Sequence, residues 1–260
     1  MANFAVGFDN IDVAACTRHG VLASNTPEVL TETTADIAFA LMMAAARRVA
    51  EGDRFLRAGT PWIWGPLMML GQDVHHKTLG VVGFGRIGQA LARRARGFAM
   101  RVLYYDTCRP PAGVEQELGA EYRDLADLLR ESDFVSLHTN LSEQTRHLIN
   151  AERLAMMKPT AVLVNTSRGP VIDEEALARA LNDGEIFAAG LDVFEREPDV
   201  HPALLGCENA VLIPHLGSAT VQTRLAMGNL AADNLLAALA GRRPPTLLNP
   251  AVWEQRAAAG

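Results

Sequence analysis

Three side chains of the sequence carry anion-binding or acid–base chemistry: Arg168, Glu197 and His215. Arg168 stands in a loop bounded by glycine, and its guanidinium fork suits a carboxylate or a carbonyl oxygen. His215 follows a proline at a predicted strand end, which is a rigid position for a proton donor. Glu197 is an acid that could orient this imidazole and hold its proton. Each residue alone is more often structural, so the hypothesis of catalysis requires a cofactor site nearby.

A glycine-rich loop with the pattern G-x-G-x-x-G predicts that site: it reads Gly83-Phe84-Gly85-Arg86-Ile87-Gly88. A buried apolar strand precedes the loop and a helical pattern follows it, which is the setting of a dinucleotide-binding turn. The helix N-terminus supplies N–H donors and a partial positive charge for a pyrophosphate. Asp106 ends the next strand, 23 residues after Gly83, where a carboxylate can accept both ribose hydroxyls. Asp106 favours NAD over NADP, and Arg109 could soften that preference.

Strands and helices alternate from Lys77 onward, which predicts a doubly wound α/β fold with a parallel Rossmann sheet. Most predicted strands are short and apolar throughout, as in a sheet buried on both faces. The predicted strands are Thr78–Val82, Arg101–Tyr105, Phe134–His138, Ala161–Asn165, Ala188–Leu191 and Ala210–Ile213. The predicted helices are Arg86–Arg96, Leu125–Glu131, Glu174–Asn182 with Asp173 as its cap, and Ala219–Ala240. The candidate polar residues follow strand ends, so the topology gathers them at one edge of the sheet.

The segment before this alternation predicts two short strands, Asn3–Val6 and Val21–Ala23, and a helix over Asp9–His19. Thr26-Pro27 suits the N-cap and the first position of a second helix, which could run to about Arg57. A helix of that length is long for a globular protein and could link two lobes.

Composition and charge narrow the class of protein. The 260 residues carry a net charge of −6, which gives no bulk attraction to nucleic acid or to an anionic membrane. The most apolar run, Ile37–Ala46, is too short to cross a bilayer. Cys16, Cys108 and Cys207 lie far apart, which disfavours a disulfide framework and a zinc site and fits a reducing, cytoplasmic compartment. We therefore expect no metal, no membrane and no nucleic-acid partner.

The sequence resembles the D-isomer-specific 2-hydroxyacid dehydrogenase family in segments that follow the family's order through nearly the whole chain. These segments are Val6–Asp12, Gly80–Gly88, Asn165–Gly169, Gly190–Phe194, Glu197-Pro198 and Pro214–Thr220. Within the family, the Trp62–Trp64 loop, Met69–Gly71 and His215–Thr220 are most similar to glyoxylate/hydroxypyruvate reductases.

The resemblance implies an oxidoreductase that transfers hydride from NAD(P)H to a small 2-oxo acid, giving glycolate from glyoxylate or D-glycerate from hydroxypyruvate. Arg168 would bind the substrate carboxylate and carbonyl, His215 would protonate the carbonyl, and Glu197 would sustain the imidazolium. The implied cofactor, NAD with NADP as the alternative, would contact Gly83, Phe84, Gly85, Arg86, Ile87, Gly88, Asp106, Thr139, Thr166, Ser167, Asp192 and Gly217. The implied substrate contacts are the backbone of Val6 and Gly7 and the side chains of Arg168, His215 and Trp64.

The resemblance also implies a division of the chain into domains. Residues 1–26 and 223–260 would belong to a remnant of a flavodoxin-like substrate domain, and residues 27–222 would form the NAD-binding domain with its linking helix. The family's substrate domain normally opens with further βα units, so we expect an N-terminally truncated chain whose cofactor binding survives better than its turnover. Family members are typically homodimers, in which Trp64 would reach the partner's active site and select small substrates.

Other interpretations stay open at this point. The substrate could be another 2-hydroxyacid such as 3-phosphoglycerate, whereas formate is disfavoured because those relatives carry glutamine where this chain has Glu197. A non-catalytic, NAD(H)-sensing corepressor of the same fold would keep the same three residues. His76 stands where similar reductases often carry glycine, so strain is expected in its turn.

Overall fold

The computed structural model describes residues 1–259, with the side chains of residues 1–256, and these residues form two compact units. One unit joins Met1–Thr33 to the segment that begins at Ser218, and the other is continuous from Thr34 to Gly217. The sequence predicts the two boundaries at slightly different positions, after residue 26 and after residue 222. The assignment of one unit to a flavodoxin-like substrate domain and of the other to cofactor binding stays a prediction.

The continuous unit contains a seven-stranded sheet in which every pair of neighbours is parallel. The strands are β1 (Thr78–Val82), β2 (Arg101–Tyr105), β3 (Ala120–Tyr122), β4 (Phe134–Leu137), β5 (Val162–Asn165), β6 (Ala188–Leu191) and β7 (Ala210–Leu212). Their order across the sheet is β3-β2-β1-β4-β5-β6-β7, so the winding direction reverses between β1 and β4. The predicted doubly wound Rossmann fold is confirmed, and a ligand crevice is expected beyond the carboxyl ends of β1 and β4.

Two apolar cores, one on each face, hold the sheet. Successive strand residues point to opposite faces. In β2, Leu103 packs with Leu163 and Leu177 in one core, while Tyr104 packs with Leu91 in the other. All of these side chains are fully buried. Because both faces are closely packed, the carboxyl edge of the sheet is a rigid platform for side chains.

The described α-helices are distributed over both units, and a side-chain cap marks the start of several of them. The helices are α1 (Val13–Arg18), α2 (Thr31–Ala46), α3 (Val49–Arg57), α4 (Arg86–Arg96), α5 (Val114–Leu118), α6 (Leu125–Glu131), α7 (Ala151–Leu154), α8 (Glu174–Asn182), α9 (Pro202–Leu205), α10 (Val221–Leu239) and α11 (Pro250–Ala259). α8 starts at its predicted cap, since the Asp173 carboxylate accepts a hydrogen bond from Ala176 N at 2.9 Å. None of the described helices combines the length and the apolar composition that crossing a bilayer requires.

The predicted strands and helices of the sheet region are confirmed within narrow limits. β1, β2 and β6 have the predicted bounds, and β4, β5 and β7 are each one residue shorter at one end. α4, α6 and α8 also have the predicted bounds. The helix predicted over Ala219–Ala240 is α10, which begins later because Thr220 Oγ1 accepts a hydrogen bond from Thr223 N at 3.2 Å.

The two strands predicted near the N-terminus are wrong. Asn3–Val6 and Val21–Ala23 form no strand, and the described residues of this region make only isolated bridges such as Ala2 with Ser24. Backbone hydrogen bonds do join these segments, as Asn3 N donates to Ser24 O at 2.8 Å and Thr26 N donates to Ala5 O at 2.9 Å, but they are too few to form a ladder. Asn25 Nδ2 adds a side-chain hydrogen bond to Val6 O at 2.8 Å. Short apolar runs form a strand only if a neighbouring strand pairs with them along their length.

The rest of this unit is joined by asparagines from distant parts of the chain. Asn249 Oδ1 accepts a hydrogen bond from Ala23 N at 3.0 Å, and its Nδ2 donates to Val21 O at 2.8 Å. Asn234 Nδ2 donates to Thr246 Oγ1 at 2.7 Å. α1 is shorter than the predicted helix because its first turn is capped only at Asp12.

The single helix predicted to run to about Arg57 is two helices, α2 and α3. They are separate because Arg48 adopts a left-handed conformation with φ 54°. The Glu51 carboxylate holds Arg48 there, accepting from Nε at 2.7 Å and from Nη2 at 2.6 Å. Apolar periodicity continues across such a break, so the pattern alone does not reveal it.

The predicted start of that helix is also wrong. Thr26 does not cap it, because Glu28 has φ 73° and the chain turns before α2 begins at Thr31. His76 has φ 61°, so the strain expected at this non-glycine position is present.

The sequence pattern predicts none of the shortest elements. These are β3, α5, α7, α9 and a 3₁₀ turn over Gly169–Val171, together with the longer but alanine-rich α11. A segment of three to five residues is too short to display an apolar period, and alanine gives no contrast between helix faces.

Candidate active site

The glycine-rich loop brings the carboxyl ends of β1 and β4 together. Gly83 has φ 93°, and a Cβ built there would lie 2.7 Å from His138 C and 2.8 Å from Thr139 N. A Cβ on Gly88 would lie 2.3 Å from Gly83 O. Only glycine therefore fits at these two positions, where the first permits the turn and the second lets α4 pack against the loop.

Gly85 differs from its two neighbours in the motif because nothing in the protein requires glycine there. A Cβ at Gly85 would meet no atom within 4 Å, and the residue stands directly before α4. The space above this helix N-terminus is open, and the helix offers unpaired backbone N–H groups and a partial positive charge. This cradle has the shape and the charge that a pyrophosphate needs.

Asp106 lies beside the same loop at the end of β2. Its Oδ2 accepts a hydrogen bond from Phe84 N at 2.7 Å, and its Oδ1 accepts one from Cys108 N at 3.1 Å. Phe84 points inward and stacks on Tyr104, with 4.2 Å between ring centroids. The backbone thus fixes the carboxylate next to the glycine-rich loop, where the sequence predicts a contact with the ribose.

Arg109 is engaged by neighbours on β2, β3 and α5. Its Nη1 lies 3.1 Å from Glu115 Oε1 and donates to the Tyr104 hydroxyl at 3.1 Å. Its guanidinium carbon lies 4.3 Å from the centroid of the Tyr122 ring. Burial and the hydrogen bond to Glu115 raise the pKa of Tyr104 to about 12, so the phenol stays protonated.

Two threonine hydroxyls after β4 and β5 are buried without a protein partner. Thr139 Oγ1 and Thr166 Oγ1 have no hydrogen-bond partner among the described residues. A buried hydroxyl without a partner is costly, so a polar ligand at this edge would satisfy both groups. Together with the open space at Gly85 and the fixed carboxylate of Asp106, these hydroxyls show that the residues present fit a dinucleotide.

The loop after β5 is held by Asn165. Its Oδ1 accepts hydrogen bonds from Ser167 N at 3.0 Å and from Ser167 Oγ at 2.8 Å, and its Nδ2 donates to Arg168 O at 2.9 Å. Arg168 Nη1 donates to Ser167 O at 2.8 Å. Asn165 therefore fixes the backbone on both sides of the Arg168 Cα, at Ser167 N and at Arg168 O.

Gly169 places this loop directly against the loop that carries Glu197. A Cβ on Gly169 would lie 1.8 Å from Phe194 C and 2.3 Å from Glu195 N. No side chain can occupy that space, so the contact between the two loops depends on the glycine.

Gly169→Ala is accordingly expected to force the loops after β5 and β6 apart. We expect a loss of stability of about 1–3 kcal/mol or more, since overpacking in a well-packed region has this size. Thermal unfolding measures the loss, and Gly206→Ala is the control because its Cβ would meet only Ala203 O, at 3.6 Å. An unchanged melting temperature of Gly169→Ala would contradict the close approach.

His215 and Glu197 form a hydrogen-bonded pair. His215 Nδ1 lies 2.8 Å from Glu197 Oε2, and Glu197 Oε1 accepts a hydrogen bond from Phe194 N at 3.0 Å. With its proton on Nδ1, the imidazole donates to the carboxylate and presents Nε2 outward. Both side chains remain partly accessible, at 51% and 36% exposure, as a group that meets a substrate must be.

Asp192 holds the backbone on which His215 stands. Its carboxylate accepts hydrogen bonds from Leu216 N and, at 2.8 Å, from Gly217 N. His215 itself has φ 52°, and its N–H donates to Asp192 O at 2.9 Å. Burial raises the pKa of Asp192, although the two backbone donors favour its ionised form. This clamp on the His215 loop is not evident from the sequence, where Asp192 was expected only along the dinucleotide.

The structure brings most of the predicted site residues together at one edge of the sheet. The loops of Arg168 and Glu197 touch through Gly169, Glu197 forms a hydrogen bond with His215, and the predicted cofactor residues follow the carboxyl ends of β1, β2, β4, β5, β6 and β7. Val6 and Gly7 belong to the other unit, where their carbonyls accept hydrogen bonds from Asn25 and Asn3. Trp64 lies in an irregular segment with 76% of its surface exposed.

No three His, Cys, Asp or Glu side chains of residues 1–256 come close enough to hold a metal ion, and Cys16, Cys108 and Cys207 are free thiols.

A family model and several known proteins match most of this chain. The family model described as "D-isomer specific 2-hydroxyacid dehydrogenase, NAD binding domain" matches residues 39–217. A glyoxylate reductase of Thermococcus onnurineus is 54% identical over 261 residues, which cover 98% of this chain and 78% of that protein.

Solved structures of glyoxylate reductases are also similar to this chain. A glyoxylate reductase from Paecilomyes thermophila superposes with a TM-score of 0.86 at 42% identity, covering 94% of this chain and 73% of that one. An NADPH-dependent glyoxylate/hydroxypyruvate reductase from Sinorhizobium meliloti, in complex with NADP and malonate, superposes with a TM-score of 0.85 at 36% identity, covering 95% and 76%.

Proposed function

Because the chain belongs to the D-isomer-specific 2-hydroxyacid dehydrogenase family, we propose that it reduces glyoxylate or hydroxypyruvate with NAD(P)H, giving glycolate or D-glycerate. The observation that carries the proposal is the His215–Glu197 pair beside the Arg168 loop, at the edge of the sheet that also offers the dinucleotide cradle. Relatives named glyoxylate reductase support this substrate class over 3-phosphoglycerate, and over a role as a non-catalytic NAD(H) sensor.

The proposed roles follow from where charge develops during reduction. When bound, the reduced nicotinamide would supply the hydride for the carbonyl carbon. Arg168 binds the substrate carboxylate and stabilises the negative charge that grows on the carbonyl oxygen. His215 gives this oxygen a proton from Nε2. Before that transfer, the Glu197 carboxylate stabilises the imidazolium through its hydrogen bond with Nδ1. The backbone of Val6 and Gly7 is proposed to hold the substrate carboxylate as well.

A steady-state assay of nicotinamide oxidation tests the proposal. We expect turnover with glyoxylate and hydroxypyruvate, and less with pyruvate, whose methyl group lacks the hydroxyl of hydroxypyruvate. Absence of turnover with all three, by a chain that binds the dinucleotide, would contradict the proposed reaction and favour a sensing role.

We propose that the cofactor is NADH rather than NADPH. The Asp106 carboxylate is fixed where it would repel a 2′-phosphate, and Arg109 is held by Glu115, Tyr104 and Tyr122. The Arg109–Glu115 pair is largely exposed and contributes little to stability, so its importance lies in where it keeps the guanidinium.

The predicted result is a dissociation constant for NADH at least about tenfold lower than for NADPH, a difference of about 1.4 kcal/mol. Titration calorimetry measures both constants. Asp106→Ala is expected to bring the two dissociation constants closer together, because it removes the carboxylate that repels the 2′-phosphate of NADPH. Glu115→Gln is expected to have the same effect, because it weakens the hold on Arg109. Equal affinity of the unaltered protein for the two nucleotides would contradict this preference.

We further propose a cytoplasmic homodimer. The three free cysteines suit a reducing compartment. The segment from Leu56 to Leu70 exposes Trp62, Ile63, Trp64 and Leu67, with Ile63 at 92%, and a second copy of the chain would cover this apolar surface. Trp64 would then act as a shape filter at the partner's site. Analytical ultracentrifugation tests the assembly, and a monomer at micromolar concentration would contradict it.

A further inference from the structure

A reciprocal pair of glutamates lies behind the proposed catalytic loop. Glu174 is the first residue of α8, and its Oε1 accepts a hydrogen bond from Glu195 N at 2.7 Å. In return, Glu195 Oε1 accepts one from Glu174 N at 3.1 Å. Glu174 is buried, with 4% of its surface exposed. We call this arrangement the glutamate clasp; the proposed mechanism does not use either carboxylate.

The clasp fixes one side of the loop that carries Glu197. The residue before Glu195, Phe194, donates its N–H to Glu197 Oε1 at 3.0 Å, so the position of the Phe194–Glu195 backbone determines where the Glu197 carboxylate points. The other side of this backbone presses on Gly169, next to Arg168. The loop is thus held between α8 and the Arg168 loop.

A third segment approaches the clasp from outside, through a side-chain contact that is not a hydrogen bond. His147 Nε2 lies 3.2 Å from Glu195 Oε2, and His147 N donates to Pro170 O at 2.7 Å. The same segment therefore touches both the clasp and the turn that follows Arg168. These contacts connect the two loops that present the proposed catalytic side chains.

We propose that Glu174 and Glu195 are positioning residues, which set the Glu197 carboxylate against His215 and fix its separation from Arg168. The inference rests on the proposed function for the roles of these three residues. If the clasp opens, Glu195 N loses its acceptor, and the loop shifts to find water or another partner. A misplacement of about 1 Å at a catalytic group is enough to lower a rate by about 10²-fold.

The clasp needs an acceptor oxygen at Glu174 more than it needs a charge. Burial raises the pKa of Glu174 and the nearby carboxylate of Glu195 also raises it, although the hydrogen bond from Glu195 N acts in the opposite direction. Whether ionised or neutral, the side chain keeps a carbonyl oxygen that accepts from Glu195 N. A glutamine side chain offers the same oxygen at the same distance along the chain.

The experiment compares Glu174→Ala and Glu174→Gln with a matched control in the same helical turn, Glu175→Ala. Glu175 is exposed, and its Oε1 lies 2.6 Å from Arg179 Nη1. Glu175→Ala therefore removes a carboxylate from the same turn of α8 and leaves the clasp intact. Three quantities are measured: kcat with glyoxylate, the dissociation constant of NADH, and the ¹⁵N chemical shifts of the His215 imidazole in the ligand-free protein.

We expect Glu174→Ala to lower kcat by about 10- to 100-fold with the NADH dissociation constant unchanged within about twofold. The His215 Nδ1 shift is expected to change because its hydrogen bond to Glu197 is lost. Glu174→Gln is expected to retain at least about half of the activity, and Glu175→Ala to match the unaltered protein. The imidazole shifts need no turnover, so they test the clasp even if glyoxylate is not the substrate.

Two results would overturn the proposal. The first is an unchanged imidazole spectrum and an unchanged kcat in Glu174→Ala. The second is an equal loss in Glu174→Gln and Glu174→Ala, which would assign the effect to charge. If Glu174→Ala does not fold, Glu174→Asp withdraws the acceptor oxygen from Glu195 N by one methylene and is judged by the same readouts.

Discussion

His215→Gln is expected to lower kcat for glyoxylate reduction by about 10²–10⁴-fold, the size of a general acid's contribution. Glutamine has a similar reach but no proton to give at neutral pH, so the carbonyl oxygen would have to be protonated by water. The side chain is half exposed and its backbone is held by Asp192, so we expect the variant to fold and to bind NADH normally. Stopped-flow traces of nicotinamide absorbance measure the chemical step directly.

His75→Gln is the matched control for this experiment, because His75 lies on the surface away from the sheet's carboxyl edge. It should leave kcat unchanged. If His215→Gln keeps more than about a tenth of the activity, His215 is not the acid and the proton comes from elsewhere.

Arg168→Ala is expected to lower kcat/KM for glyoxylate by at least about 10²–10³-fold, as the loss of a single donor to a developing oxyanion does. Arg168→Lys should recover little of this, because an ammonium cannot form the paired hydrogen bonds of the guanidinium fork. Asn165 continues to hold the loop backbone, so the fold should persist. The comparison requires kcat and KM for each variant.

Added guanidinium ion gives an independent check on Arg168. We expect it to restore part of the activity of Arg168→Ala in a saturable manner and to have no effect on Arg179→Ala, whose side chain pairs with Glu175 on the surface. An active Arg168→Ala variant that needs no guanidinium would show that substrate binds through other groups.

The sheet and its carboxyl edge could be predicted because short apolar strands alternate with helices. A strand such as β5, Val-Leu-Val-Asn, is buried along its whole length and ends in a polar residue that starts a loop. Parallel strands end at one edge, so the residues after them must meet there. The cofactor loop was equally predictable because Gly83 and Gly88 occupy positions that no side chain could fill.

The supporting contacts could not be predicted from the sequence because they join residues whose spacing carries no signal. Asp192 accepts hydrogen bonds from the backbone N–H groups of Leu216 and Gly217, and Glu174 at the start of α8 exchanges hydrogen bonds with Glu195. Aspartate and glutamate are common residue types, and Asp192 and Glu174 lie in segments whose sequence already predicts a strand end and a helix start. The helix break at Arg48 was hidden for a related reason, since a single left-handed residue leaves the apolar periodicity intact.

The left-handed backbone of His215 has a consequence for protein engineering. A φ of 52° in a residue with a Cβ stores roughly 1 kcal/mol of strain, which glycine would release. Selection for heat resistance alone would therefore favour glycine at the position of the proposed proton donor, and the proposed reaction would lose its acid. Each round of selection for thermal stability should therefore include a screen for turnover.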